Sequence, residues 1–161
     1  MKSNVTGINT KQMQVVRFFN APVDLVFQMW TNREYLERWW GPENFRSKVD
    51  EMDVTEGGRI RITMKDPNGE LLLLEGFFKE ILAPSKIVFV TSKVDENGKR
   101  ELEALHTILI TEAEGKTKLS LEVRIINLTE SSLNLCQQME LGWGQSLDKM
   151  SESINLITKK Q

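Results

Sequence analysis

Cysteine and histidine each occur once in this 161-residue chain, as Cys136 and His106. A lone cysteine excludes an internal disulfide, and a reducing, cytoplasmic setting is the simplest expectation. One histidine and one cysteine cannot supply the ligands of an ordinary zinc site. The phosphate-binding pattern GxxxxGK(S/T) and the dinucleotide pattern GxGxxG are both missing, so no cofactor is expected. Long apolar runs are missing too. No run is longer than Leu71 to Leu74, which is strand length, far short of the ~20 residues that span a bilayer. The first residues, MKSNVTGINTKQ, are polar and lack the apolar stretch of a signal peptide. Neither sign of charge is in excess: 21 Lys+Arg face 23 Asp+Glu, a net −2. That leaves no basic face for nucleic acid and no attraction to anionic lipid.

The length suits a single domain spanning residues 1–161, with a core over about 13–157. A chain of this size buries roughly 68–70% of the surface exposed when unfolded, so no staple is needed. Residues 13–19, MQVVRFF, read as a first strand. The period then changes: Val23, Val26, Phe27 and Trp30 fall at helical spacing, with Pro22 in the first turn. Thr31 and Glu34 form a capping box for a second short helix, which buries Tyr35, Leu36 and Trp39 and stops at Gly41-Pro42.

From Phe45 to Ile126 the pattern is strand after strand, broken at EGG (56–58), DPNG (66–69), APS (83–85), DENG (95–98) and EGK (114–116). These are hairpin-type turns, so neighbours run antiparallel. Six strands follow the helices, and the first strand makes seven. Ile60, Ile62 and Met64 share one side of their strand, and Leu119, Leu121, Val123 and Ile125 share one side of theirs. Such alternation describes a sheet that is apolar on one face and wet on the other. Leu105 and Leu109 have outward parity. The tail, 130–158, reads as a single long helix with a stripe running from Leu133 through Cys136, Glu140 and Trp143 to Ile157. It is the only element long enough to cover the sheet. The expected fold is therefore α+β: a curved seven-stranded antiparallel sheet around a long C-terminal helix, with two short helices after the first strand.

Several features occur in order: "WWGP" at the end of a short helix, the "EGG" hairpin, "EGFFKEILAPSKIVF", and "GW" in the last helix. Together they resemble the heat-shock-protein ATPase activator homologue family, of the START/Bet v 1-like superfamily with the helix-grip fold. The resemblance covers residues ~13 to ~157. It implies a sheet wrapped on the C-terminal helix with a cavity between them. It implies little about activity, since the family includes co-chaperone domains, ligand carriers and antibiotic-resistance proteins.

The candidate ligand-binding residues are Trp39, Trp40, Phe77, Phe89, His106, Cys136, Met139, Glu140 and Trp143. Trp39 and Trp40 are about 100° apart on a helix, so if one plugs the core the other lies nearer a cavity mouth or solvent. Trp143 sits between Gly142 and Gly144, and glycines in a helix cost ~0.5–1 kcal/mol each, which points to close packing or to a gap for a ligand. His106 shares parity with Leu102, Ala104, Ile108 and Ile110 and should face inward, either as a satisfied core residue or as a polar group that orients a ligand. The strand parity of Phe77 and Phe89 is ambiguous. Cys136 reads as a small buried hydrophobe, because a Cys/His nucleophile pair would need an orienting group that the sequence does not supply. Glu140 either turns to solvent, leaving Met139 inward, or meets His106 or an arginine inside.

The expected function is binding of a small hydrophobic or aromatic molecule between sheet and helix. The alternatives are a protein-interaction module, such as a partner of a chaperone ATPase, and a cavity-based cyclase or hydrolase. No catalytic or metal-binding residue is assigned, and monomer and homodimer both remain open.

Overall fold

The computed structural model describes residues 12–159. Seven strands form one antiparallel sheet: β1 (Gln12–Phe19), β2 (Arg46–Met52), β3 (Arg59–Lys65), β4 (Leu71–Leu82), β5 (Lys86–Val94), β6 (Arg100–Ala113) and β7 (Lys116–Leu128). Their spatial order is β1-β7-β6-β5-β4-β3-β2, a meander whose last strand takes the first as its neighbour. Two short helices, α1 (Val23–Thr31) and α2 (Arg33–Trp39), carry the chain from one sheet edge to the other.

The connections follow from turn chemistry. In DPNG and DENG the aspartate plays the same part twice. Asp66 Oδ1 accepts from the N–H groups of Asn68 and Glu70, and Asp95 Oδ1 from those of Asn97 and Lys99. These side chains mimic a backbone turn and fix the hairpin register. In EGG the second glycine is required by contact, since a Cβ on Gly58 would lie 2.0 Å from the Asp53 carbonyl oxygen.

Two local expectations are corrected. The start of α2 is capped by Asn32 rather than Thr31: Asn32 Oδ1 accepts from the N–H groups of Glu34 and Tyr35 at 3.0 and 3.2 Å. Thr31 instead donates back to the Phe27 carbonyl, closing α1. The tail is not one helix. It divides into a 3-10 turn (Glu130–Ser132), α3 (Leu133–Gln137) and α4 (Met139–Lys159), with Gln138 non-helical at φ −96° and ψ 3°. Thr129 and Ser131 bond to Glu101 on β6. Such hydroxyl contacts compete with helical pairing and hold the turn apart from α4.

The core lies between the concave sheet face and α4. Ile62, Ile108, Leu119, Leu121 and Val123 from the sheet meet Leu147, Met150 and Ile154 from the helix, all at most 1% exposed. Each such side chain contributes ~1.5–3 kcal/mol by leaving water. Parity holds as expected on β3, β6 and β7, including Leu109 on the outer face, where it is 44% exposed. Leu105 beside it is half-buried.

Candidate functional site

The end of α2 turns two adjacent indoles in different directions. Trp39 is fully buried, and its Nε1–H donates to the Met29 carbonyl at 2.8 Å. Trp40 is the C-cap, with extended backbone at φ −64° and ψ 130°. Gly41 follows at φ 102°, a conformation glycine adopts without strain. The loop 41–45 is fastened to α4 at three points on one helical face. Gly142 packs on Pro42, Gln145 Oε1 accepts from the Glu43 N–H, and Lys149 Nζ donates to the carbonyls of Gly41 and Pro42. Trp40 is held over α4 as a result.

All four tryptophans meet there. The ring of Trp143 lies 6.0 Å from Trp30, 6.2 Å from Trp39 and 5.3 Å from Trp40, centroid to centroid. Its contact with Trp40 is edge-to-face at 82°, an arrangement the ring quadrupoles favour. His106 joins from β6, 5.6 Å from Trp143.

Beside this cluster a cavity of about 310 Å³ opens between the sheet and the helical tail. Trp40, His106 and Trp143 form its inner end. Met64 on β3, Leu72 and Leu74 on β4 and Leu102 on β6 form the sheet wall. Leu135 and Met139 face them from α3 and α4. The rim carries exposed Glu43, Gln138 and Leu141, so the space opens to solvent.

Of the nine sequence candidates, Trp40, His106, Met139 and Trp143 line this space. Trp39 and Phe89 lie behind it: Trp39 as the plug, Phe89 stacked on His106 at 4.4 Å. Cys136 is buried on α3, off the cavity lining. Two candidates are displaced. Phe77 points to the outer face, 42% exposed, because Phe78 takes the inward position on β4. Glu140 is exposed. Met139 precedes Trp143 by one turn and lines the cavity with it, while Glu140 lies about 100° round the helix from Met139, toward solvent. This is the solvent-facing one of the two orientations the sequence allows for Glu140, with Met139 inward.

The candidates omit the apolar walls Met64, Leu72, Leu74, Leu102 and Leu135, and they also omit a buried polar residue, Thr91. It is 7% exposed, lines the cavity, and lies two residues beyond Phe89 on β5. Once Phe89 is known to face inward, period-two alternation places Thr91 there as well.

Electrostatically the inner end is neutral. Burial pushes the His106 imidazole down to about 4, because a charged ring would lose its hydration; its hydrogen bond to the Phe89 carbonyl opposes this weakly. Lys93 also lines the cavity but is paired with Glu101. That hydrogen bond holds the Glu101 carboxyl below its ordinary value. Among the described residues no three His, Cys, Asp or Glu side chains cluster as a metal site requires. No helix among them is long and apolar enough to cross a membrane.

The family profile of the activator of Hsp90 ATPase homolog 1-like protein matches residues 20–155. The chain belongs to this family. The activator homologue fold is shared by solved structures of low identity. A protein from Arthrobacter aurescens superposes with a TM-score of 0.81 at 22% identity, covering 95% of this chain and 91% of that one. The AHSA1 protein from Silicibacter pomeroyi gives 0.77 at 23%, covering 91% and 99%. A protein from Chromobacterium violaceum gives 0.77 at 21%, covering 88% and 94%. At these identities the likeness is one of fold, and it bears out the helix-grip architecture of an activator homologue. No curated protein matches the chain.

Proposed function

We propose that this activator homologue binds a small, uncharged hydrophobic or aromatic molecule between its sheet and α4. The observation that carries the reading is the cavity of about 310 Å³, apolar along its walls and closed at its inner end by Trp40, Trp143 and His106. Ligand sites are commonly concave, mostly apolar spaces with a few polar groups, from about 300 Å³ upward. The family and fold agree with it, because a sheet gripping a helix leaves such a space where the two diverge.

Catalysis has less support. Among the described residues His106 has one hydrogen-bond partner, a backbone carbonyl, and Glu140 is in solvent. A protein-interaction role for the convex face, or for a chaperone ATPase partner as the family description suggests, rests on the exposed Leu109 together with Val16 and Phe18. A pull-down with a heat-shock ATPase tests that alternative.

Tryptophan fluorescence tests the main reading, because two indoles border the cavity. Titration with naphthalene should quench or shift the emission in a saturable way, and the change should shrink in Trp143→Phe. An unchanged spectrum across a panel of aromatic probes would remove the ligand-carrier role.

A further inference from the structure

Two polar side chains face the inner cavity with hydrogen-bonding capacity that the protein does not use. His106 is 3% exposed and Thr91 is 7% exposed, and both line the cavity. On the concave face Thr91 opposes Ala104 and Phe89 opposes His106, so Thr91 and His106 are diagonal neighbours across β5 and β6. Diagonal pairs have Cα atoms about 7–8 Å apart, close enough for one small group to reach both side chains.

The tautomer of His106 follows from its single partner. Nδ1 lies 3.3 Å from the Phe89 carbonyl oxygen. A carbonyl only accepts, so Nδ1 carries the hydrogen and Nε2 presents a lone pair. Burial keeps the ring neutral down to about pH 4. The Thr91 hydroxyl has no hydrogen-bond partner among the described residues. It can donate and accept. Ser146, a third buried polar residue of the lining, already donates its hydroxyl hydrogen to the Gly142 carbonyl, so the inner end offers one imidazole acceptor and one hydroxyl still free to donate.

This pattern discriminates between ligand classes. A carboxylate only accepts: its oxygens would face the Nε2 lone pair, and the nearby Lys93 is already paired with Glu101. An ammonium would be buried without a counter-charge, since Glu43 stands at the exposed rim. A pure hydrocarbon would desolvate both polar groups and satisfy neither. A hydroxyl fits, donating to one group and accepting from the other.

We infer that the cavity takes an uncharged aromatic alcohol or phenol whose O–H donates to His106 Nε2 and accepts from Thr91 Oγ1. This rests on the ligand-binding reading above and adds the chemistry of the ligand.

Calorimetric titration at pH 7 with 2-naphthol, naphthalene and 2-naphthoate separates the two levels. The expected order is 2-naphthol tightest, by roughly five- to tenfold over naphthalene, with 2-naphthoate weakest. Thr91→Val keeps the shape and removes the hydroxyl, so it should weaken 2-naphthol while naphthalene, which no longer strips water from that hydroxyl, binds at least as tightly as before. His106→Phe should remove the advantage, and Thr91→Val carries the test if that variant does not fold. If naphthalene binds as tightly as 2-naphthol, or 2-naphthoate binds best, the hydroxyl assignment is wrong and the cavity reading survives. If none of the three binds, the cavity reading itself falls.

Discussion

The imidazole of His106 lies flat on the ring of Phe89, centroids 4.4 Å apart and planes 10° from parallel. The two are directly opposed across β5 and β6, and the Phe89 carbonyl is also the imidazole's hydrogen-bond partner. A neutral ring suits this position, since protonation would place a charge between an aromatic face and an apolar cavity.

A pH dependence of stability follows. Burial lowers the folded-state value of His106 from 6.5 to about 4. Between those values the unfolded chain binds the proton and the folded chain does not, so stability is fully present above about 6.5 and is lost as pH falls toward 4. The loss between pH 7 and pH 5 should be about 2 kcal/mol. Glu101, also lowered from 4.5, adds its own loss only below that range. Urea unfolding at pH 7, 6 and 5 checks this. His106→Gln should flatten the slope, and an equal slope in both proteins would contradict the buried neutral ring.

Trp39 and Trp40 should separate stability from binding. Trp39 is fully buried and satisfies the Met29 carbonyl. Trp39→Phe leaves that carbonyl unpaired and should cost about 1–3 kcal/mol. Trp40 borders the cavity, and Trp40→Phe keeps an aromatic wall without the indole's full area. Its unfolding midpoint should move less than that of Trp39→Phe, while its affinity for naphthalene falls. Denaturant melts and fluorescence titrations on both variants give the comparison.

The sheet was legible because β3 and β7 alternate cleanly and each turn carries its own Asp, Asn, Pro or Gly. His106 could be placed inward from Leu102, Ala104, Ile108 and Ile110 alone. The Phe77-Phe78 pair could not be resolved that way, because adjacent aromatics fit either parity. For Glu140 the sequence allows two orientations, and the structure shows the solvent-facing one, with Met139 inward. The convergence of Trp30, Trp39, Trp40 and Trp143 is tertiary, set by the loop 41–45 docking on α4, and no local pattern announces it.

That docking rests heavily on Lys149. Its ammonium donates to the carbonyls of Gly41 and Pro42 at 3.1 and 3.2 Å and reaches that of Phe45 at 3.5 Å. Lys149→Met keeps the aliphatic stem and removes the three contacts. It should destabilise the fold by about 1–3 kcal/mol. It should also weaken naphthalene binding, because Trp40 loses its support. A variant with unchanged affinity would mean that the loop is held by Gln145 and Pro42 packing alone.

The glycines flanking Trp143 should respond differently to alanine. In an exposed helix interior, Gly→Ala is worth about 1 kcal/mol in favour of the helix. At Gly144 the new methyl would lie 3.4 Å from Arg17 Nη2, the far end of a side chain that pairs with Asp148, so it meets no backbone and no closer atom. Gly144→Ala should stabilise by ~0.5–1 kcal/mol. At Gly142 the methyl would sit 3.3 Å from Pro42 Cγ, on a loop that Lys149 and Gln145 hold against the helix. The proline ring must give way, which offsets the helical gain, and the cavity wall at Trp40 moves with it. Gly142→Ala should therefore gain less stability than Gly144→Ala and bind naphthalene more weakly, whereas Gly144→Ala binds it normally. Equal gains with equal affinities would show that Gly142 is not where loop and helix make close contact.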